Sequence, residues 1–363
     1  MNRCPACGTQ YADEARFCTK DGSKLIPMPG SAGAPSLAPT PFSAPTPARG
    51  TAMGRADPPA AASPTNLVDQ VLDGRYRIVR KVGEGGMSFV YLANDTATSD
   101  RYAIKVLSQA LSNDQNAMQR LKREASLGMR LAHPNVCHII RMGETQDGLV
   151  YVVMPFVEGE ILSDRNNRKG TLPVDEVARF VSEIAAGLHV AHELKIVHRD
   201  LKPENIMICK AENGTERAVV MDFGLAKERR ADAELQKLTA TGIILGTPEF
   251  MSPEQLRGKP LDPRTDVYSL ALMTYEMLTG KLPFSGRTQQ EMMIARLRSE
   301  PVPLRQARPE LEFSEALEKV LLKAMMRAPD DRYTTAPEFA TALATAIGGK
   351  PGDSGVLGRL FGR

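Results

Sequence analysis

The sequence predicts an α+β fold in two lobes, the first rich in strands and the second mainly helical, and two patterns and one composition shift carry that prediction. In Tyr76-Arg77-Ile78-Val79, Val90-Tyr91-Leu92-Ala93 and Tyr102-Ala103-Ile104-Lys105-Val106-Leu107, apolar and β-branched residues recur at the spacing of strands. From Val174 to His192 and from Val267 to Leu278 the period lengthens to that of helices, and 291–297, 314–326 and 336–347 continue it. From Leu72 onward the composition turns globular, which sets the expected divisions: a small cysteine-bearing module over 1–26, a Pro/Ala-rich flexible linker over 27–70, the two-lobed domain over 71–348 and a tail over 349–363.

At the start of the chain, Cys4-x-x-Cys7-Gly8 and Phe17-Cys18-x-x-Asp21-Gly22 form two short knuckles about ten residues apart. The pair resembles a zinc ribbon in which Asp21 stands where a fourth cysteine would be. A carboxylate is an admissible fourth ligand, so a structural Zn2+ held by Cys4, Cys7, Cys18 and Asp21 is one reading. A metal-free knuckle and a redox-active Cys-x-x-Cys are the others. So short a piece buries too little apolar surface to fold unaided, which favours the metal. Ten of the 26 prolines then fall between 27 and 66, among Ala, Gly, Ser and Thr. Such a stretch has no core to form and is expected to be an extended, disordered tether.

Within the domain, Gly83-Glu84-Gly85-Gly86 sits in a hairpin, with Val82 to Val90 read as its turn. Asn116 to Leu131 carries helical spacing interrupted by Gly128, and Leu149 to Val157 reads as a buried strand.

The chain has 363 residues, 42% apolar and 25% charged, and 46 basic against 43 acidic side chains leave a net charge of only +3. That balance gives no reason to expect a nucleic-acid partner, and Arg3, Arg16, Lys20 and Lys24 are interleaved with Asp13, Glu14 and Asp21 so that the small module has no clear basic face. No run approaches the roughly 18 apolar residues that cross a bilayer, and the first residues have no apolar secretory core, so a cytoplasmic protein without a transmembrane segment is expected. Cys137 and Cys209 stand alone and read as reduced, packed thiols.

The chemistry concentrates in His198-Arg199-Asp200-Leu201-Lys202-Pro203-Glu204-Asn205, where an acid, a cation and an amide stand at fixed spacing. An aspartate at 200 can accept the proton of an attacking hydroxyl, Lys202 can neutralise a phosphoryl group, and Asn205 can hold a divalent cation. Met221-Asp222-Phe223-Gly224 follows 22 residues after Asp200, the glycine hairpin precedes it, and Lys105 lies fifteen residues after Val90. Together these motifs resemble those of protein kinases, of the eukaryotic-like (Hanks) Ser/Thr type found in bacteria. The resemblance covers 76–347. It implies the bilobal protein kinase fold, with a β-rich N-lobe and a helical C-lobe, here preceded by the zinc-ribbon-like module and the disordered linker.

The resemblance further implies ATP and Mg2+ or Mn2+ as cofactors and proteins bearing Ser or Thr as substrates. Lys105 corresponds to the lysine that grips the α and β phosphates, Glu124 to its partner on the following helix, Asp200 to the catalytic base, and Asn205 with Asp222 to the magnesium ligands. Gly83 and Gly85 belong to the phosphate-covering loop, in which Ser88 replaces a family glycine. Val82, Val90, Ala103 and Met207 correspond to residues around the adenine, Met154 to the gatekeeper, and Pro155 and Val157 to the hinge, where proline departs from the common acidic residue. Glu158 and Asp164 fall near the ribose. Lys202 marks the Ser/Thr class, as does Gly246-Thr247-Pro248-Glu249-Phe250, whose Thr247 would bond Asp200 and Lys202. Glu254 would pair with Arg332, and Asp266 would brace the catalytic loop. Arg199 is the residue that, in relatives, grips an activation-loop phosphate, so Thr239 and Thr241 are expected autophosphorylation sites. A nucleotide-binding scaffold without turnover is the rival reading. A protein partner for the small module is the remaining expectation.

Overall fold

The structure, a computed structural model, describes residues 2–3, 10–11, 26–27, 67–85, 88–108, 115–145, 148–211, 214–223, 248–286 and 288–348. The chain divides after Ser63 into two units. In the first, strands β1 (Asn2–Arg3), β2 (Gln10–Tyr11) and β3 (Ile26–Pro27) pair antiparallel in the order β2-β1-β3. Cys4, Cys7, Cys18 and Asp21 lie outside the described residues, so the zinc expectation is not addressed there.

The second unit opens with a sheet of β4 (Val71–Leu72), β5 (Tyr76–Gly85), β6 (Ser88–Asp95), β7 (Arg101–Leu107), β8 (Arg141–Glu144) and β9 (Val150–Pro155), in the order β4-β5-β6-β7-β9-β8 and antiparallel throughout. Alternation along β7 and β9 sends Ile104, Val106, Tyr151 and Val153 to one apolar cluster with Leu67, Leu72 and Tyr76, and Ala103, Val150, Val152 and Met154 to another. Helix α1 (Gln115–Gly128) covers the second face with Met118 and Ala125. The expected turn over 82–90 is wrong in extent. Glycines 83 and 85 stay in the ladder, opposite Val90 and Ser88, and the strand bends through irregular register at Ile78/Arg80 and Lys81/Gly83. Helix α1 ends at Gly128 and does not run on to Leu131, the glycine acting as a terminus where an interruption was expected.

The remaining elements are β10 (Glu160–Ile161), α2 (Leu162–Lys169), α3 (Val174–Glu193), β11 (Ile206–Lys210), β12 (Glu216–Val220), α4 (Pro253–Leu256), α5 (Pro263–Thr279), α6 (Gln289–Arg298), α7 (Leu304–Ala307), α8 (Glu315–Ala324) and α9 (Ala336–Ile347). Helix α5 starts four residues before its apolar run because Asp262 caps it, accepting from the Arg264 N–H, and Pro263 occupies its first turn. Phe180, Ile184 and Leu188 of α3, Val267, Leu270 and Tyr275 of α5, and Phe339 and Leu343 of α9 share one core, each at 1% exposure or less. Each such side chain contributes roughly 1.5–3 kcal/mol of transfer free energy. The two lobes are strapped by 135–137: Asn135 Nδ2 donates to Ala218 O at 2.7 Å, and Cys137 N–H to Val220 O at 2.9 Å. Gly187 of α3 is required there, since a Cβ would come 2.8 Å from Asn135 O.

Candidate active site

The loop 198–205 runs from the end of α3 into β11, and one buried carboxylate holds its backbone. Asp266 of α5 is 0% exposed. It accepts from His192 Nε2 at 2.8 Å, His198 N–H at 2.8 Å and Arg199 N–H at 3.1 Å. Burial pushes its carboxyl up, but the bond from His192 and the surrounding positive charge outweigh burial, and it sits below the usual carboxylate range. On the other side, Gln255 Nε2 donates to Arg199 O at 2.7 Å. Arg199 is thereby held at φ 64°, a left-handed conformation that costs an ordinary residue about 1 kcal/mol.

The side chains then fall within reach of one another. Asn205 Nδ2 donates to Asp200 O and to Asp200 Oδ2, both at 2.7 Å, and Lys202 Nζ lies 3.4 Å from the same carboxylate. Asn205 O accepts from the Met221 N–H at 2.8 Å, and His198 Nε2 meets Met221 O at 2.8 Å while its ring packs edge-on to Phe223. Asp222 is fixed between those two anchored neighbours at φ 52°. Its Oδ1 accepts from Lys105 Nζ at 2.8 Å across the two lobes. Burial raises the Asp222 carboxyl, the Lys105 ammonium together with His198 and Lys202 more than offsets it, and the net shift is downward. The carboxylate of Asp222 and the amide oxygen of Asn205, whose nitrogen Asp200 occupies, form a hard-oxygen donor set, which fits Mg2+ or Mn2+ beside phosphate.

Behind Lys105, Ala103 and Met154 belong to one apolar cluster against which Val90, Met207, Phe156 and Val157 pack. These side chains come from β6, β7, β9, β11 and the residues after β9, and form an apolar wall of the kind that suits the face of a flat heterocycle. Val82 does not join it and is 37% exposed. Glu158 is turned to Arg101, whose guanidinium also stands over Phe156. The side chain of Glu124 and all of Thr239, Thr241 and Thr247 lie outside the described residues.

Residues 76–344 match the protein kinase domain. The chain belongs to the protein kinase family. The chain is 36% identical over 276 residues to the Serine/threonine-protein kinase pkn3 of Myxococcus xanthus, covering 76% of this chain and 50% of that protein. It is 36% identical over 283 residues to the Serine/threonine-protein kinase PknB of Mycobacterium leprae, covering 77% of this chain and 44% of that protein. Its fold superposes on the crystal structure of a cysteine-to-alanine mutant of the Mycobacterium tuberculosis PknI kinase domain with a TM-score of 0.60 at 29% identity, over 78% of this chain and 100% of that one. The chain thus spans half or less of the length of these curated relatives. The family and fold expected from the motifs are the ones found.

The chain also brings to the loop 198–205 side chains that no motif pointed to. Gln255 is one, reaching back to it from α4. Glu276 of α5 also falls outside every motif, and it is bonded by Asn166 Nδ2 of α2 at 3.2 Å. Burial, partly relieved by Asn166 and reinforced by Glu204 and Glu249, pushes its carboxyl up to about 7. The folded chain therefore keeps a proton there that the unfolded chain has released, so this contribution to stability is present at low pH and is lost as pH rises through about 7. Thermal denaturation from pH 5 to 8 is expected to show a falling Tm whose slope is reduced in Glu276→Gln; equal slopes would refute the assignment. Among the described residues no helix is long and apolar enough to cross a membrane.

Proposed function

We propose that this chain is an ATP-dependent Ser/Thr protein kinase that transfers the γ-phosphoryl of ATP, bound with Mg2+ or Mn2+, to Ser and Thr hydroxyls of proteins. The observation that carries this reading is that Lys105 of the strand-rich lobe bonds Asp222 at 2.8 Å while Asn205 and Lys202 stand 2.7 and 3.4 Å from Asp200, the two groups being tied by the Met221 N–H to Asn205 O bond at 2.8 Å. A nucleotide-binding scaffold would need the apolar wall but not an aspartate so fixed beside a lysine.

The bound nucleotide supplies the phosphoryl group and the metal neutralises charge on it. Lys105 orients the phosphates, aided by Glu124, and Gly83 and Gly85 let backbone N–H groups approach them. Asp222 and Asn205 hold the cation. Val82, Val90, Ala103, Met154 and Met207 flank the base, with the carbonyl of Pro155 and the N–H of Val157 meeting its edge. Asp200 orients the acceptor hydroxyl and takes its proton, and Lys202 supplies positive charge beside that hydroxyl. Thr247 ties the acceptor platform to Asp200. Phosphorylation of Thr239 and Thr241 by the kinase itself gives Arg199 a phosphate to hold.

Purified chain incubated with labelled ATP, Mg2+ and dephosphorylated casein is expected to label casein and itself, with Thr239 and Thr241 modified by mass spectrometry. Asp200→Asn is expected to lower transfer by about 10²- to 10⁴-fold, the range of a general base. A wild-type chain that binds ATP and labels nothing would establish the scaffold instead.

The divisions at 1–26, 27–70, 71–348 and 349–363 belong to the same reading. In it the small module holds Zn2+ through Cys4, Cys7, Cys18 and Asp21 and contacts a protein partner from a flexible tether, in the cytoplasm. Support comes from ligand spacing and from the linker's composition. Elemental analysis is expected to find one zinc per chain, lost in Cys4→Ser/Cys7→Ser; well under one in the wild type would rule the site out.

A further inference from the structure

The small cleft that Asp200 and Lys202 line is closed on its far side by Phe250, Met251 and Ser269. The backbone of that wall is held in an unusual way. Three consecutive carbonyls accept hydrogen bonds from buried side chains: Glu249 O from Arg296 Nη2 at 2.7 Å, Phe250 O from Ser269 Oγ at 2.8 Å, and Met251 O from Arg296 Nη1 at 3.0 Å. The next residue, Ser252, donates its N–H to Gln255 Oε1 at 2.9 Å, and Gln255 in turn grips Arg199 O at 2.7 Å. The wall is therefore fastened to the loop 198–205 at one end and to α6 at the other.

Arg296 is the unexpected member. It lies on a helix whose neighbouring Ile294 is 52% exposed, yet it is itself 1% exposed and has its guanidinium 5.9 Å from the Phe284 ring centroid. A guanidinium taken this far from water is costly, and Met or Leu would fill the volume without that cost. What arginine adds is a planar fork that reaches two carbonyls two residues apart, a spacing that no lysine spans at once.

We propose that Arg296 is a positioning residue for the phosphoryl acceptor: by pinning Glu249 O and Met251 O it sets the distance between the acceptor wall and Asp200, and so governs acceptor binding without touching acceptor or nucleotide. This rests on the kinase reading above. It makes α6 the outer support of the substrate platform, so the identity of the side chain at 296 tunes which acceptors fit.

The test compares Arg296→Met, Arg296→Lys and, as a control for loss of core packing far from the wall, Phe339→Leu, with casein as acceptor. Arg296→Met is expected to raise KM for casein about ten- to hundredfold and leave KM for ATP within about twofold, with Arg296→Lys between it and wild type because one carbonyl is still served. Amide exchange across 249–256 is expected to quicken in Arg296→Met at a temperature where Phe339→Leu, equally destabilised, shows none. If wild type labels casein and Arg296→Met shifts both Michaelis constants alike, or neither, the inference is overturned while the kinase reading stands. A wild type that labels nothing overturns both.

Discussion

Lys105→Met is expected to reduce phosphoryl transfer by about three orders of magnitude while leaving the fold intact, because the residue contributes a charge at the site and little to the core. Its side chain is 13% exposed, on a strand whose neighbours Ile104 and Val106 pack to the opposite face, so a methionine of similar length stays within the packing available. The electrostatic loss is twofold. The phosphates lose their cation, and Asp222, which Lys105 reaches at 2.8 Å, loses the charge that offsets its burial. Without that ammonium the Asp222 carboxyl moves upward, and a protonated carboxyl is a poor cation ligand. The residual activity of Lys105→Met should therefore show an acid limb displaced toward higher pH relative to wild type, and raised Mg2+ should recover part of the rate. Steady-state kinetics from pH 5.5 to 8.5, with circular dichroism as the check on folding, measures both. A loss with an unmoved acid limb would mean that the Lys105–Asp222 contact does not set the metal site.

What was legible beforehand divides along a physical line. Residues proposed to meet the reactants are spelled out locally, since phosphoryl transfer demands fixed atom types at short spacing: Asp200, Lys202 and Asn205 within one loop, Asp222 a hairpin later. Long apolar periods were equally readable, and α9 runs from Ala336 to Ile347 as its pattern predicts. Strand ends around the glycines were not, because register in β5 and β6 is decided by the partner strand, which propensity ignores. The supports of the fold and of the site were the least visible. Arg296, Gln255 and Glu276 each act across tens of residues through a backbone carbonyl or through burial, and neither has a spacing signature. Asp266 was readable only because the family fixes its motif; the bond from His192 that helps keep it ionised was not.

The largest stability effect should come from the pair beneath the acceptor wall. Arg332 donates through Nη1 and Nη2 to Glu254 Oε1 and Oε2 at 2.8 and 2.7 Å, and also to the carbonyls of Met326, Arg264 and Arg327 at 2.7, 3.0 and 3.1 Å. Both residues are 4% exposed. Glu254 has one further side-chain donor, Thr265 Oγ1 at 2.9 Å. Removing Arg332 therefore strands a buried carboxylate and three carbonyls, whereas removing Glu254 leaves the guanidinium still bonded to those carbonyls. Arg332→Met is expected to cost about 3–5 kcal/mol, with Glu254→Gln costing less and the double variant Glu254→Met/Arg332→Met less than the sum. At about 2–4 °C per kcal/mol, the Arg332→Met loss is easily resolved by calorimetry. Its pH dependence identifies the cause. In the wild type, burial raises the Glu254 carboxyl but Arg332 more than offsets this, so the folded value is depressed. That contribution is present above the ordinary carboxylate value of 4.5 and is lost as pH falls through the folded one. In Arg332→Met burial, the largest influence on this carboxyl, is opposed only by Thr265 and a backbone N–H, so the folded value is expected to rise and Glu254 to become a group whose protonated form is favoured by folding. Stability of the variant should then fall as pH rises from 4 to 7 while the wild type's does not fall on this group's account, so the gap between them widens toward neutrality. A gap that stays constant over that range would assign the loss to packing and leave the stranded carboxylate without a role.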